Sequence, residues 1–468
     1  MRITLLIALA VSCLIANGQS KADKLQQAYA QLKKDPQAKY AITSICVLDA
    51  ASGKVLFSDN ENIGVAPAST LKTITAATAL AVLGKDYTYK TTLSYTGSIA
   101  DDGTLNGNVV ITGSGDPTLA SWRYERTKEG NILNQWVTAI RNAGIKKING
   151  SVVGNDSAWP TQSTPEGWIW QDIGNYYGAG ASAINWRENQ FDIKLRPGKS
   201  VGDKVDALRT VPSMPFIQLV NELKTGTQGT GDNAYAFLAP YTNIAYLRGS
   251  WGIGIAKDGI AASVPDPAFD VASRLQDTLS RIGVTASMPP ATARTLGLAG
   301  KEMQAVTSTL NTITSVPLSE LVYWFNKKSV NLYGEALIKT LAGHLGKPAT
   351  TRNGASTVVK YWTEKGIDAD ALNIVDGSGL SPGTRVTASA MATILFQAQK
   401  EVWYPEYIAS FPDNNGMQLK SGSINDVSAY AGYYKDSAGN KYVIVININN
   451  YNGSGISRKL FKVLDALK

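Results

Sequence analysis

The amino-acid sequence predicts a protein of the α/β (α+β) class, in which an antiparallel sheet and helices form one domain that is interrupted by a large β-rich insertion. Strand-like segments with neighbouring helical patterns occur near both ends of the chain. The middle of the chain has a different texture, with short β-like runs and many Gly, Asn and Thr residues. We therefore expect the two ends to form one domain and the middle to form the insertion.

The individual elements follow from apolar periodicity and turn residues. Apolar residues at helical spacing predict helices, of which the one after Ser69 is Ala-rich and apolar enough to be buried. The predicted helices lie at 24–34, 69–83, 318–327, 332–345 and 457–467. Runs rich in Val, Ile and Tyr predict strands, the first two of which flank a turn and form a hairpin. The predicted strands lie at 41–48, 54–58, 416–423, 429–434 and 442–449.

The length of the chain also predicts how many domains it forms. A chain of 468 residues exceeds the usual size of a single hydrophobic core, so more than one domain is expected. We expect residues 1–18 to be a signal peptide, residues 19–90 and 301–468 to form one discontinuous domain, and residues 91–300 to form one or more inserted β-rich domains.

The first residues have the pattern of a secretory signal. Arg2 precedes an apolar run over 3–15 that is too short to span a membrane, and Ala16-Asn17-Gly18 offers small residues at the cleavage position. The three residues before Cys13 form a poor lipobox, so we do not expect a lipid anchor there. The mature protein is expected in the periplasm, with Cys46 as its sole cysteine and no internal disulfide.

Charge and composition exclude several classes of protein. The formal net charge of +8 is spread along the chain, and no Lys/Arg-rich run is interleaved with aromatic residues, so no nucleic-acid partner is expected. Attraction to anionic polymers of the envelope and peripheral association with the membrane stay open. With His344 as the only histidine, neither a zinc-type ligand cluster nor a Ser-His-Asp triad is expected, and no metal or cofactor is predicted.

Ser69-Thr70-Leu71-Lys72 is the only Ser-x-x-Lys in the chain and begins the apolar helix. Positions i and i+3 share a helix face, so the Lys72 amine can approach the Ser69 hydroxyl. A serine becomes a nucleophile when a nearby base takes its proton, and a lysine can be that base if burial or positive charge lowers its pKa. The alternative is that Ser69 merely caps the helix and Lys72 is solvated.

A nucleophilic Ser-Lys pair also needs a proton path to the leaving group and a cationic strand that holds the substrate. Known serine acyl enzymes supply these as Ser-x-Asn and Lys-[Thr/Ser]-Gly, and each motif occurs more than once in this chain. Ser-x-Asn occurs at 58–60, 329–331 and 423–425, and Lys-[Thr/Ser]-Gly occurs at 224–226 and 420–422. We choose Ser329-Val330-Asn331, because a short loop between two helices can direct both side chains into a cleft. We choose Lys420-Ser421-Gly422 over the copy at Lys224, because it lies in a strand that two more strands follow.

With these choices the chain resembles the penicillin-binding protein and serine β-lactamase superfamily. More specifically, it resembles the D-alanyl-D-alanine carboxypeptidase/endopeptidase family of low-molecular-mass (class C) penicillin-binding proteins, which carry a large insertion between the first two motifs. The resemblance covers essentially the whole mature chain. Its further segments are Ala66-Pro67-Ala68-Ser69, Gly115-Asp116-Pro117-Thr118-Leu119, 326–332 and Asp376-Gly377-Ser378-Gly379-Leu380-Ser381. One departure is Ser421, where the family usually has Thr.

The resemblance implies a penicillin-binding/β-lactamase-like transpeptidase domain and acyl transfer at Ser69. Lys72 would accept the serine proton, although which group is the true base is left open. Ser329 would pass the proton to the leaving amine, and Asn331 would bind the substrate backbone. Lys420 would supply positive charge toward the substrate.

The remaining expected roles concern substrate binding. Ser421 would bind the terminal carboxylate, and Gly422 and Ser423 would line the same strand, with the backbone N–H groups of Ser69 and Ser423 as the oxyanion hole. Asp156 resembles a family residue that meets the amino end of a diamino acid in the stem peptide. The expected partners are peptidoglycan stem peptides, with β-lactams as covalent inhibitors.

Three activities remain open at this point. The first is D-Ala-D-Ala cleavage by a serine D,D-peptidase, as carboxypeptidase, as endopeptidase on cross-links, or as both. The second is a β-lactamase-type hydrolase, against which the large insertion argues. The third is a non-catalytic peptidoglycan-binding pseudoenzyme, against which the retention of all the motif residues argues.

Overall fold

The computed structural model describes residues 20–468, so the predicted signal peptide and Cys13 lie outside the described residues. Helices run over α1 Lys21–Lys33, α2 Leu71–Leu83, α3 Glu129–Asn142, α4 Trp170–Ile173, α5 Pro267–Arg281, α6 Ala293–Leu298, α7 Leu318–Lys327, α8 Asn331–His344, α9 Thr351–Glu364, α10 Ala388–Ala398, α11 Tyr404–Ala409 and α12 Ile456–Leu464. Within these residues, no helix is long and apolar enough to cross a membrane.

Strands run over β1 Ile42–Asp49, β2 Val55–Asp59, β3 Lys90–Thr96, β4 Ser98–Ile99, β5 Thr104–Asn106, β6 Val109–Thr112, β7 Lys147–Ile148, β8 Val152–Asn155, β9 Gln190–Arg196, β10 Asp206–Val211, β11 Gln218–Asn221, β12 Lys224–Gly226, β13 Asp232–Phe237, β14 Ile244–Gly252, β15 Gly259–Ser263, β16 Thr285–Ala286, β17 Ala291–Thr292, β18 Val306–Thr314, β19 Leu372–Asn373, β20 Arg385–Val386, β21 Asp413–Asn414, β22 Met417–Ile424, β23 Val427–Lys435 and β24 Lys441–Asn449.

A six-stranded sheet joins the two ends of the chain. Its strands are ordered β2-β1-β24-β23-β22-β21, and every neighbouring pair is antiparallel. Strand β1 pairs with β24 over its whole length, with Cys46 opposite Val445. The mixed helix and sheet architecture confirms the predicted fold class.

Both faces of this sheet are buried. Successive side chains of a strand point to opposite faces, so the Val and Ile residues of β24 divide between two cores. Val443 and Val445 pack into the core that contains α2, α8 and α10. Ile444 and Ile446 pack into a second core that contains α1 and α12. The apolar run in β24 is continuous because neither face meets water.

Helix α2 lies inside the first core. Nearly every residue from Leu71 to Leu80 is buried, and the helix packs against α7, α8, α9 and α10. A helix that is apolar on all sides is stable only when it is surrounded by protein. The sequence feature that begins with Ser69 is therefore held at the centre of the domain and not on its surface.

The inserted segment contains two further cores. One lies between α3, α5 and a five-stranded sheet ordered β17-β8-β6-β3-β18. The other is formed by residues 191–264 and includes β9, β13, β14 and β15. Strand β18 begins after residue 300 and pairs with β3. The division of the chain at residues 91 and 300 stays a prediction.

A buried lysine ties the insertion to helix α8. The Lys339 amine donates hydrogen bonds to the carbonyl oxygens of Gln162, Ser163 and Ala181, at 2.7, 3.1 and 2.7 Å. Burial lowers the pKa of this amine to about 8. Three carbonyl groups of the insertion thus depend on one side chain of the helix that also begins at Asn331.

We expect Lys339→Met to destabilise the protein by about 3 kcal/mol or more, because each of the three buried carbonyls that lose their donor carries a penalty of about 1–3 kcal/mol. Urea unfolding followed by fluorescence would measure the loss. Lys360→Met is the matched control, since Lys360 is exposed on the neighbouring helix α9. An unfolding midpoint that is equal in both variants would contradict the structural role of Lys339.

Candidate active site

Ser69 lies in a short 3₁₀ turn, Ala68–Thr70, that leads directly into α2. The preceding residue, Ala68, has a positive φ of 46°, and Gly379 packs against its carbonyl oxygen so closely that a Cβ at position 379 would lie 2.0 Å from it. Ser69 is half-buried and lines a cleft of about 1000 Å³. Pro67 and Thr70 occupy the N-cap positions of the 3₁₀ turn and of α2, and neither makes a side-chain cap hydrogen bond. The Ser69 hydroxyl bonds to another side chain.

That partner is Lys72. Its amine lies 2.8 Å from Ser69 Oγ, 2.7 Å from Asn331 Oδ1 and 2.7 Å from the Ser378 carbonyl oxygen. Three partner oxygens at these distances hold the amine in one position, although they come from three separate parts of the chain. The alternative of a solvated lysine is excluded, because Lys72 has no exposed surface.

The electrostatics around Lys72 favour its neutral form. Burial, and after it the positive charge of Lys420, hold the pKa of the Lys72 amine well below its usual value. The carboxylates of Asp376 and Glu335 act in the opposite direction. Since burial has the largest effect, the Lys72 amine loses its proton more readily than an ordinary lysine, and its neutral form can accept the proton of Ser69.

Ser329 lies in the loop between α7 and α8, and Asn331 lies at the end of that loop. Asn331 is the first residue of α8, and its side-chain amide donates to the carbonyl oxygen of Tyr177 in the insertion at 2.7 Å. Ser329 has a positive φ of 57° and lines the same cleft as Ser69. The rival motif at 58–60 lies at the edge strand β2, where Asn60 bonds the Thr43 carbonyl.

Strand β22 forms the opposite wall. Gly422 touches the Ser69 turn, and a Cβ there would lie 2.6 Å from the Pro67 carbonyl oxygen and 2.9 Å from the Ser69 nitrogen. Only glycine allows this approach without displacing Ser69. Ser423 lines the cleft beyond it.

Lys420 lies two residues before Gly422 on strand β22. It is buried, and its amine donates to the Ser421 carbonyl oxygen at 2.6 Å. Burial lowers the pKa of the Lys420 amine to about 7. The rival copy at Lys224 begins the short strand β12 of the insertion and is exposed. There the Thr225 hydroxyl accepts a hydrogen bond from the Gly198 amide, so this copy is part of a sheet edge.

The segment Asp376-Gly377-Ser378-Gly379 supplies the third acceptor of Lys72, and its shape depends on two buried carboxylates. Asp376 accepts hydrogen bonds from Trp168, Ser381 and Thr384, at 3.1, 2.8 and 2.8 Å. Its neighbour Gly377 donates its amide to both oxygens of Glu335, each at 3.1 Å. Burial, followed by the charge of Asp376, raises the pKa of Glu335 to about 8.

Sequence reasoning missed Glu335. It lies one turn after Asn331 on α8, and an acidic residue inside an otherwise apolar helical run was a signal that could have found it. Its place beneath the segment that orients Lys72 makes it part of the support of the site.

Asp156 lies beside Asp266 and Arg294 and is absent from the residues that line the cleft in the described chain. Burial, followed by the Asp266 charge, raises its pKa to about 6. Its predicted role in binding substrate stays a prediction. The cleft contains another carboxylate, Asp172, together with Tyr177, whose carbonyl bonds Asn331.

Comparisons with known proteins identify the family of the chain. Residues 25–414 match the model of the D-Ala-D-Ala carboxypeptidase 3 (S13) family. The chain belongs to this family. It is 24% identical over 462 residues to the D-alanyl-D-alanine carboxypeptidase of Actinomadura sp. strain R39, which covers 93% of this chain and 82% of the relative. It is also 24% identical over 415 residues to D-alanyl-D-alanine carboxypeptidase DacB of Haemophilus influenzae, covering 84% and 82%.

Among solved structures, penicillin-binding protein 4 of Haemophilus influenzae superposes with a TM-score of 0.77 at 22% identity and covers 94% of this chain and 98% of its own. The same protein with a bound β-lactam superposes with a TM-score of 0.70 at 20% identity, covering 95% and 98%. These structures share the fold. The predicted family and the predicted serine-type D-Ala-D-Ala carboxypeptidase are thereby confirmed, with the family match as the deciding finding.

Proposed function

We propose that this S13 family member cleaves the terminal D-Ala-D-Ala bond of peptidoglycan stem peptides, and D-Ala-diamino acid cross-links, through an acyl-enzyme on Ser69. The observation that carries the proposal is the Lys72 amine, which is fully buried and lies 2.8 Å from Ser69 Oγ. A neutral amine at hydrogen-bond distance from a serine hydroxyl is an activated nucleophile pair.

In the first step Ser69 Oγ attacks the carbonyl carbon of the penultimate D-Ala while its proton passes to the Lys72 amine. The carbonyl oxygen becomes an oxyanion, which the backbone N–H groups of Ser69 and Ser423 would stabilise. The close approach of Gly422 to the Ser69 nitrogen brings the two parts of such an oxyanion hole together. Loss of one oxyanion-hole donor typically lowers kcat by about 10²–10³-fold.

In the second step the C–N bond breaks and the leaving amine must gain a proton. We assign its delivery to Ser329, which lines the same cleft as Ser69. Water then attacks the ester, its proton returns through the same groups, and the peptide leaves with a new carboxylate. A β-lactam would acylate Ser69 in the same way, but its leaving amine stays attached and hinders the attack of water.

Substrate binding falls to groups on the two walls of the cleft. Lys420 and Ser421 would bind the carboxylate of the terminal D-Ala. On the other wall, Asp172 offers a carboxylate that suits the amine of a diamino acid side chain, and Tyr177 lies beside it. We further propose that the predicted signal peptide directs the chain to the periplasm, where peptidoglycan and β-lactams are encountered.

The pH dependence follows from the two lysines. Lys72 must be neutral, so kcat/KM is expected to fall on the acid side as this amine is protonated. Lys420 must be charged to bind a carboxylate, so kcat/KM is expected to fall on the alkaline side through a pKa of about 7 in the free enzyme. A peptide that ends in D-alaninamide has no terminal carboxylate and should lose the alkaline fall alone. An alkaline fall of equal size with both peptides would contradict the role of Lys420.

Product analysis tests the proposed activity. Purified monomeric and cross-linked muropeptides would be incubated with the enzyme and analysed by mass spectrometry. Loss of one D-Ala from monomers is the expected carboxypeptidase product, and monomers released from dimers are the expected endopeptidase product. If neither substrate changes while penicillin turns over rapidly, the proposal is wrong and the activity is of the β-lactamase type.

A further inference from the structure

A second groove, of about 440 Å³, lies on the insertion next to the catalytic cleft. The two share Tyr176 and Tyr177, which line both. The far side of the groove is formed by β9, β13 and β15 and includes Tyr235 and Gly259. The groove is large enough for a ligand of small-molecule size. It plays no part in the acyl-transfer chemistry described above.

The charges in this groove are internally balanced. Lys194 bridges Asp192 and Asp258, at 3.2 and 3.1 Å, and Lys257 pairs with Asp232 at 3.1 Å. Three carboxylates and two amines leave little net charge, so the groove does not suit a polyanion or a strongly cationic ligand. Each carboxylate still has free lone pairs, which can accept hydrogen bonds from hydroxyl or amide groups.

Aromatic side chains provide the apolar part of the same surface. Tyr176 is 52% exposed at the boundary between the cleft and the groove. It meets Tyr177 edge to face, with ring centroids 5.4 Å apart, so its orientation is set by packing. Tyr235 is half-buried in the groove itself. Aromatic faces beside neutral arrays of hydrogen-bonding groups match pyranose rings, whose C–H faces are apolar and whose edges carry hydroxyl and amide groups.

We propose that this groove binds the N-acetylated amino-sugar backbone of the polymer whose stem peptide occupies the catalytic cleft. The inference rests on the proposed function for the identity of the polymer. Continuity is the second argument, because the Tyr177 carbonyl that forms the shared wall is bonded to the Asn331 side chain beside Lys72. A sugar in the groove would thus be joined to a peptide in the cleft across one pair of tyrosines.

The test compares a free stem pentapeptide ending in D-Ala-D-Ala with the same pentapeptide attached to a disaccharide of N-acetylated amino sugars. We expect the wild type to have a higher kcat/KM for the sugar-bearing substrate. Tyr176→Ala and Tyr235→Ala should each lower the ratio of the two kcat/KM values by roughly fivefold, the usual result of truncating one contacting aromatic residue. The ratio is independent of the fraction of enzyme that folds.

Tyr40→Ala is the matched control, since Tyr40 is an exposed tyrosine outside the groove and should leave the ratio unchanged. A wild-type ratio of one, or variants that lose activity equally on both substrates, would overturn the sugar site. So would a selective loss on a sugar-free cross-linked peptide dimer, which would assign the groove to a second stem peptide. Absence of D-Ala release from every substrate would instead contradict the proposed function.

Discussion

A Ser69→Ala variant is expected to form no covalent adduct with a fluorescent penicillin and to release D-Ala roughly 10⁶-fold more slowly than the wild type, the loss seen when an acyl enzyme loses its nucleophile. The reason is geometric. Among the three oxygens of the described site that are bonded to the Lys72 amine, Ser69 Oγ alone carries a proton that it can give up, since the other two are carbonyl oxygens. Within residues 20–468, no other hydroxyl lies at hydrogen-bond distance from that amine.

Gel fluorescence after incubation with the labelled penicillin measures the adduct, and chromatography measures D-Ala release. Ser58→Ala is the matched control, because Ser58 begins the rival Ser-x-Asn motif at an edge strand and should leave labelling unchanged. The fold should survive the change at Ser69, which removes one oxygen from a half-buried position. An adduct of equal intensity in the Ser69→Ala variant would show that another residue is the nucleophile.

The parts of the site that sequence reasoning reached are those set by local spacing. Ser69 and Lys72 are one helical turn apart, so their proximity follows from the geometry of the helix. Strands β1 and β24 were also predictable, because apolar runs of strand length at both chain ends require a shared sheet. The helix α8 was predicted to begin within one residue of its observed start.

The parts that sequence reasoning missed depend on contacts between distant segments. Glu335 bonds an amide 42 residues away, and nothing in its neighbours indicates that a turn lies above it. Asp172 enters the cleft because the insertion folds back onto α8, a consequence of the Lys339 and Asn331 bonds to carbonyl groups of the insertion. Strand β18 pairs with β3 although it begins after residue 300, and sequence reasoning predicted no strand there.

The choice between the two Lys-[Thr/Ser]-Gly copies shows the same difference between local patterns and contacts of distant segments. Lys224-Thr225-Gly226 has the Thr that is usual in the family, whereas Lys420-Ser421-Gly422 lies in a strand that two more strands follow. In the structure Gly422 distinguishes the two copies, because its missing side chain lets β22 touch the Ser69 turn. A Cβ at Gly226 would lie close to the hydroxyl of a neighbouring threonine and not to the Ser69 turn. A three-residue pattern cannot reveal which glycine has a backbone pressed against it.

Replacing Lys72 by Met is expected to slow acylation by penicillin about 10²–10⁴-fold, the usual contribution of a general base. The methionine side chain fills much of the buried space but cannot take the Ser69 proton. The Asn331 amide oxygen and the Ser378 carbonyl also lose their donor, which loosens the wall of the cleft. Stopped-flow measurement of the second-order acylation rate would give the size of the effect.

A pH profile separates the loss of a base from the loss of a structural contact. Wild-type acylation should fall as Lys72 is protonated at acid pH, and in the Lys72→Met variant this fall should disappear because the titrating group is gone. A merely structural lysine would leave the acid side of the profile unchanged while lowering the rate at every pH. Lys224→Met is the control, since the exposed Lys224 lies in β12 and should alter neither the rate nor the profile. Acid dependence that persists without Lys72 would move the role of base to Ser329 or Lys420, the remaining titratable or proton-relaying groups of the three motifs.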